Sequence, residues 1–241
     1  MASALDRIIS NGEAAGVMTP KRERLLKRWA SHPWAFLKGK DEDGRPVVTT
    51  VDPHDTRTPV KPFPTGKDWD YLRLLVRLFH SDEAVIGINK PRQILATWTA
   101  LLVSSWECMF VDYRLWLLSK STQTEANAML KEKVVQTYGR MPEWLRECIP
   151  MKAKASELSY HDGNSRFVAV ASNVYVRQAR GFTPTGMIID EAAFQPSVRD
   201  IVAAVAPATK KLWIITTPDF GTPGADYCGE VFGASARTGT G

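Results

Sequence analysis

The chain is poor in the residues that staple or metallate small domains. Its three cysteines, Cys108, Cys148 and Cys228, are odd in number and have no paired spacing. That argues against a disulfide framework or a cysteine-based zinc site and fits a reduced compartment. Four histidines are scattered along the 241 residues and suggest no metal cluster. The apolar run from Thr97 to Val111 is broken by Ser104, Ser105 and Glu107. It is too short and too polar to span a bilayer and reads as a buried helix, so no membrane association is expected. The opening stretch MASALDRIISNGEAAGV lacks the apolar core of a signal peptide. Neither sign of charge dominates. The net +5 and pI of about 9.1 are a mild basic bias, compatible with a polyanionic partner or with an ordinary basic protein. Hydrophobic residues are plentiful at 44%, enough for the core of one large α/β domain, with or without an appendage.

Residues 20–31, PKRERLLKRWAS, predict a basic helix with Leu25, Leu26 and Trp29 inward. Its charged face is either solvated or placed against DNA. Residues 38–67 are rich in Gly, Pro, Asp and Lys and predict an irregular extension. Leu72, Leu75, Val76 and Phe79 recur at helical spacing in residues 68–81. A short buried strand is expected at 83–89, and a second apolar strand at 113–121. A helix at 123–139 stops at Gly139, and a helical turn lies in MPEWLRECIP. Residues 157–172 alternate, turn at Asp162-Gly163-Asn164 and alternate again, the pattern of a hairpin. GMIID (186–190) and KLWIITT (211–217) are further apolar strands, and GASARTGTG reads as a flexible tail.

Strands alternating with helices predict a mostly parallel sheet with helices on both faces, whose ligands bind beyond the carboxyl ends of the strands. Three motifs fall there. GINKPRQILATW (87–98) sits between a strand and a helix, as a phosphate loop does, but Leu95-Ala96 stand where the common motif has Gly-Lys. Thr97 supplies a hydroxyl for a metal, and Lys90 and Arg92 supply cations early in the loop. Taken alone, the loop leaves ATP binding open. MIIDEAAF ends a strand in two acids. Asp190 suits a magnesium ligand and Glu191 a water-orienting base, although an acid pair could also cap the following helix. Thr216 and Thr217 end the last strand.

KPRQILATW resembles the variant phosphate loop of the large terminase subunits of tailed double-stranded DNA phages, a K-x-R-Q-x-G-x-T-W pattern with its lysine at the start. Lys90, Arg92, Gln93, Thr97 and Trp98 match, and Leu95 replaces the usual small residue. KPFPTGKDWDYLRLLVRLF, MPEWL, ARGFTPTGMIIDEAAF and LWIITTP are similar to other segments of that family, so the resemblance covers roughly residues 60–220.

The resemblance implies a P-loop NTPase-type fold of the additional-strand, RecA-like class, carrying a β-hairpin and an irregular N-terminal extension. It implies an ATPase, with ATP and Mg2+ as cofactors, that drives double-stranded DNA into a procapsid. Lys90, Pro91, Arg92, Gln93, Ala96 and Thr97 would bind nucleotide, with Lys90 on the β- and γ-phosphates. Thr97 and Asp190 would hold magnesium. Glu191 would activate water, and Arg180 would reach a neighbour's ATP in a homo-oligomeric ring, with Arg177 a weaker competitor. Thr216 and Thr217 would couple phosphate loss to motion, or merely bond neighbouring strands. Phe63, Trp69 and Tyr71 are candidates for seating the adenine. The implied partners are DNA, the portal protein and the terminase small subunit, in the host cytoplasm at the portal of the procapsid. The expected division is an extension over 1–60, an ATPase domain over 61–232 and a tail over 233–241. No nuclease domain, and no DNA cleavage, is expected of the chain. A helicase-like translocase and a nucleotide-binding scaffold with a degenerate loop are the rival expectations.

Overall fold

The computed structural model describes residues 3–91, 94–172 and 183–238, the last five by backbone alone. Three helices open the chain: α1 (Ala4–Ala14), α2 (Pro20–Ala30) and α3 (Pro33–Leu37). Each starts on a side-chain cap. Ser3 accepts from the Asp6 amide, Thr19 from the Arg22 amide and His32 from the Trp34 amide. A two-stranded ribbon follows, β1 (Thr49–Val51) against β2 (Val60–Pro62). The stretch expected to be irregular is therefore partly ordered. Its short strands lack the alternation that marks longer ones.

After α4 (Asp70–His80), the main sheet begins with β3 (Val85–Asn89) and passes through α5 (Ala96–Phe110) to β4 (Leu115–Lys120). Next come α6 (Gln123–Met129), a π-helical segment (Leu130–Val135), α7 (Gln136–Gly139) and α8 (Glu143–Cys148). The sheet then adds β5 (Met151–Ala153), β6 (Glu157–Tyr160), β7 (Ser165–Ala171) and β8 (Gly186–Asp190). The chain continues through α9 (Val198–Val205) and β9 (Lys211–Thr216) to α10 (Pro223–Thr238). Backbone from Gly233 to Thr238 is thus helical where a flexible tail was expected; its Ala-rich run is compatible with helix.

The seven strands run in the order β3-β9-β8-β4-β7-β6-β5. The first five are mutually parallel, and β6 and β5 add an antiparallel edge. The hairpin between β6 and β7 turns through Asp162 in the left-handed region, as the Asp-Gly-Asn signal predicts. The first strand departs from expectation. It is an edge strand, with Ile86 and Ile88 buried and Val85, Gly87 and Asn89 exposed in alternation with them. Gly87 is required there, because a Cβ would stand 2.3 Å from the Phe232 ring of α10.

Side chains alternate across the central strands and feed two cores. Trp116, Leu118, Phe167, Ile188, Trp213 and Ile215 face α4, α5 and the three N-terminal helices. Leu117, Met187, Ile189, Leu212 and Ile214 face α9 and α10. The first core is the larger, and it takes in Ile8, Leu26, Trp29 and Phe36 at 0–1% exposure. The N-terminal helices are therefore part of its packing. Every residue of α5 is buried. Phe79, Trp213 and Trp116 stack in series at 4.4 and 4.3 Å between ring centroids, each contact worth about 0.5–1.5 kcal/mol beyond burial. Gly186 makes room for Trp116, whose ring comes within 2.4 Å of where a Cβ would lie. Among the described residues, no helix is long and apolar enough to cross a membrane.

Candidate nucleotide site at the strand ends

Register brings the motifs level. Asn89 pairs with Thr216, and Asp190 with Ile215. Ser119 pairs with Ile189, so Lys120 and Asp190 stand side by side one residue further on. The three expected loops therefore leave neighbouring strand ends, with β9 lying between the loop-bearing β3 and the acid-bearing β8.

Thr97, in the first turn of α5, donates its Oγ1 hydrogen bond to Asp190 Oδ1 at 2.7 Å, across 93 residues of sequence. Asp190 is 2% exposed, and its other oxygen accepts from Lys120 Nζ at 3.2 Å. Lys120 also pairs with Glu191. Burial works against the Lys120 charge, but the two carboxylates outweigh it and hold the ammonium above the ordinary lysine range. Gln195 braces the acids from behind. Its amide donates to the Asp190 carbonyl at 2.7 Å and to the Ser119 carbonyl at 3.2 Å, and its own carbonyl accepts from the Ser119 hydroxyl.

Thr216 is buried and joins all three loops. Its carbonyl accepts from the Lys90 amide at 2.9 Å and its hydroxyl oxygen from the Ala193 amide at 3.0 Å. The hydroxyl in turn donates to the Thr217 carbonyl. Lys90 and Pro91 open the phosphate-type loop, and Ala96 begins its helix. Arg92, Gln93, Arg177 and Arg180 lie outside the described residues.

Two residues of the site hold left-handed backbone, Leu95 at φ 54° and Glu191 at φ 55°. For Leu95 this shows why the motif ordinarily has glycine at this position. A glycine takes this conformation freely, whereas a leucine adopts it at a cost of about 1–2 kcal/mol. The Leu95 carbonyl still accepts from the Thr99 amide and hydroxyl, so the first turn of α5 closes normally. Of the adenine candidates, Phe63 is buried in the core against Trp34. Tyr71 lies against Trp69 and donates its hydroxyl hydrogen bond to the Ile94 carbonyl at 3.2 Å, which ties α4 to the phosphate-type loop.

Three site residues escaped the motif search. Lys120 closes an apolar strand, and its partners are 70 and 71 residues away; a lysine ending a buried run was the available signal. Gln195 lies five residues past Asp190 and carried no motif. Lys133, on the π-helical segment, sits with Nζ 4.6 Å from the centroid of the Trp98 ring. Burial pushes the Lys133 ammonium down, and the nearby charges of Lys120 and Lys90 push it the same way against the pull of Glu132 and Asp190. Such π-helical bulges are frequent at functional sites.

The strand order and the loops at its carboxyl edge define a RecA-like P-loop fold. More particularly, it is the fold of phage large-terminase ATPase domains. The chain is similar to the large terminase of bacteriophage HK97, at 13% identity and a TM-score of 0.59, over 87% of this chain and 42% of that one. It is similar to the large terminase ATPase domain of Thermus phage P74-26, at 15% identity and a TM-score of 0.51, over 74% of each chain. A likeness to the large terminase of the thermophilic bacteriophage D6E in complex with ADP has 17% identity and a TM-score of 0.44, over 64% of this chain and 39% of that one. The chain thus spans about two fifths of the length of the HK97 and D6E proteins. No protein-family model matches the sequence, and no curated protein does.

Proposed function

We propose that the chain is the ATP-hydrolysing motor domain of a phage large terminase, which moves double-stranded DNA into a procapsid. The observation that carries this is the 2.7 Å bond from Thr97 to Asp190, which unites a phosphate-type loop with an acidic strand end in a terminase-like fold. A hydroxyl and a carboxylate are hard oxygen donors and fit magnesium, which protein sites hold by one or two side chains together with substrate phosphates. Among the described residues there is no cluster of three or more His, Cys, Asp or Glu that could cage a metal alone.

Thr97 and Asp190 would hold the magnesium ion, and Lys90, Pro91, Arg92, Gln93 and Ala96 would bind the phosphates. When bound, such an ion would neutralise charge on the nucleotide phosphates. Glu191 is about half exposed, next to the buried Asp190, and takes the proton of the attacking water. Arg180 completes the site of a neighbouring copy in a ring. Thr216, which bonds to both other loops, passes a change at the phosphates from Lys90 to the segment after Glu191, and Thr217 continues that path. Portal protein, small subunit and DNA are the proposed partners, at the procapsid in the host cytoplasm. The test is phosphate release from ATP by the purified chain, with and without double-stranded DNA, against Glu191→Gln. Magnesium-dependent turnover that Glu191→Gln abolishes is expected, and turnover equal to that control in both conditions rejects ATP hydrolysis by the chain.

A further inference from the structure

The lysine that ends β4 does more than fill a buried position. Lys120 is 5% exposed, and a buried ammonium is costly to desolvate. An apolar residue would close an apolar strand at less cost. What Lys120 gains is a fixed place between two carboxylates that differ in their surroundings. Asp190 is buried and held on both oxygens, by Thr97 and by Lys120. Glu191 has 53% of its side chain open to solvent and left-handed backbone, with its Oε2 on the Lys120 ammonium. An exposed glutamate ordinarily samples several rotamers, and holding it in one costs side-chain entropy. An ammonium anchored on Asp190 offsets that cost where a single carboxylate direction matters.

We propose that Lys120 is a positioning residue for the water-activating glutamate. Its ammonium, fixed by Asp190, holds one Glu191 oxygen so that the other can receive a proton. The inference rests on the ATPase proposal above. In the step it serves, the bond from the water oxygen to the γ-phosphorus forms and the water proton passes to Glu191. The bond from the γ-phosphorus to the β,γ-bridging oxygen breaks, and its electron pair leaves with ADP. Lys120 itself gives up no proton.

The experiment compares wild type, Lys120→Met, Glu191→Gln and the double variant in the full chain. It reads kcat and KM for Mg·ATP, the equilibrium affinity for a fluorescent non-hydrolysable ATP analogue, and thermal melting. We expect kcat of Lys120→Met to fall about 100-fold, within the range that general-base catalysis contributes. KM and analogue affinity should stay within about threefold, since the contact serves the transition state and not binding. The double variant should be no slower than Glu191→Gln, because residues acting as a unit are not additive. Unchanged kcat, a loss confined to KM and affinity, or losses that multiply would each overturn the inference. Should Lys120→Met melt early, Lys120→Gln, which keeps a donor for Asp190 without the charge, is held to the same outcomes. Absent wild-type turnover sinks the ATPase proposal and this inference together. Wild-type turnover with undiminished Lys120 variants sinks the inference alone.

Discussion

Two lysine–carboxylate pairs stand at opposite ends of the same three elements. At one end Lys211, the first residue of β9, pairs at 2.9 Å with Glu107 near the close of α5, and Glu107 also accepts from the indole of Trp116 on β4 at 3.0 Å. At the other end Thr97 of α5 and Lys120 of β4 meet Asp190, beside Thr216 of β9. Charge is alike in both, and each carboxylate is buried, although Lys211 is only partly so where Lys120 is buried. The Glu107 cluster is closed, with both carboxylate oxygens engaged by largely buried donors. The Asp190 cluster opens through Glu191, half exposed on left-handed backbone. A buried ion pair therefore does not by itself mark a site. The mark is a buried pair that hands one of its members to solvent from strained backbone, at the edge where the loops converge.

The comparison breaks if the two ends respond alike to substitution. The largest expected effect is at the open end. Glu191→Gln should cut ATP turnover by about 10²–10⁴-fold, as expected on losing a general base, with the melting temperature nearly unchanged. At the closed end, Glu107→Ala should cost about 1–3 kcal/mol in denaturant unfolding, by leaving the buried Trp116 indole and the partly buried Lys211 without this acceptor. Its turnover per folded molecule should match wild type. Strain separates the two ends further. Leu95→Val should lose about 1–2 kcal/mol, because a β-branched residue tolerates left-handed backbone poorly. Leu95→Gly should stay within about 1 kcal/mol of wild type, as relieved strain offsets lost packing.

The smallest effect lies outside both clusters. His161 is buried, with Nε2 2.6 Å from the Met109 carbonyl, and burial holds its pKa below the usual histidine value. A histidine depressed in the folded state favours folding above its unfolded pKa, so its contribution is lost as pH falls below about 6.5. The melting temperature should decline from pH 7.5 to pH 5.5. His161→Asn, which tolerates the same positive φ, should flatten that decline. An equal slope in the variant would assign the decline to other groups.

Much of this arrangement was legible in the sequence because its signals are local. Apolar strands that end in Asp190-Glu191 and Thr216-Thr217, a mostly apolar helix behind Thr97, and the Asp-Gly-Asn turn each announce themselves within a few residues. What stayed hidden depends on distant partners. Lys120 acquires its meaning from acids 70 residues on, and Lys133 from the ring of Trp98, 35 residues before it, which its ammonium overlies. The edge position of β3 escaped for the same reason, since Ile86 and Ile88 look alike in a central strand and an edge one. Leu95 is instructive in the other direction. The sequence shows a departure from the glycine of the motif, and the backbone at φ 54° shows why glycine is usual there and how leucine still takes the turn.

That turn bears on the central claim, that a loop with its lysine early and a leucine in the glycine position grips a triphosphate. The most direct measurement is the equilibrium affinity of the purified chain for Mg·ATPγS, in wild type and in Lys90→Ala. Loss of a charge-assisted contact to phosphate predicts about tenfold or greater weakening in Lys90→Ala. Equal affinity in the two proteins would contradict the assignment of Lys90 and, with it, the reading of this loop as a phosphate site.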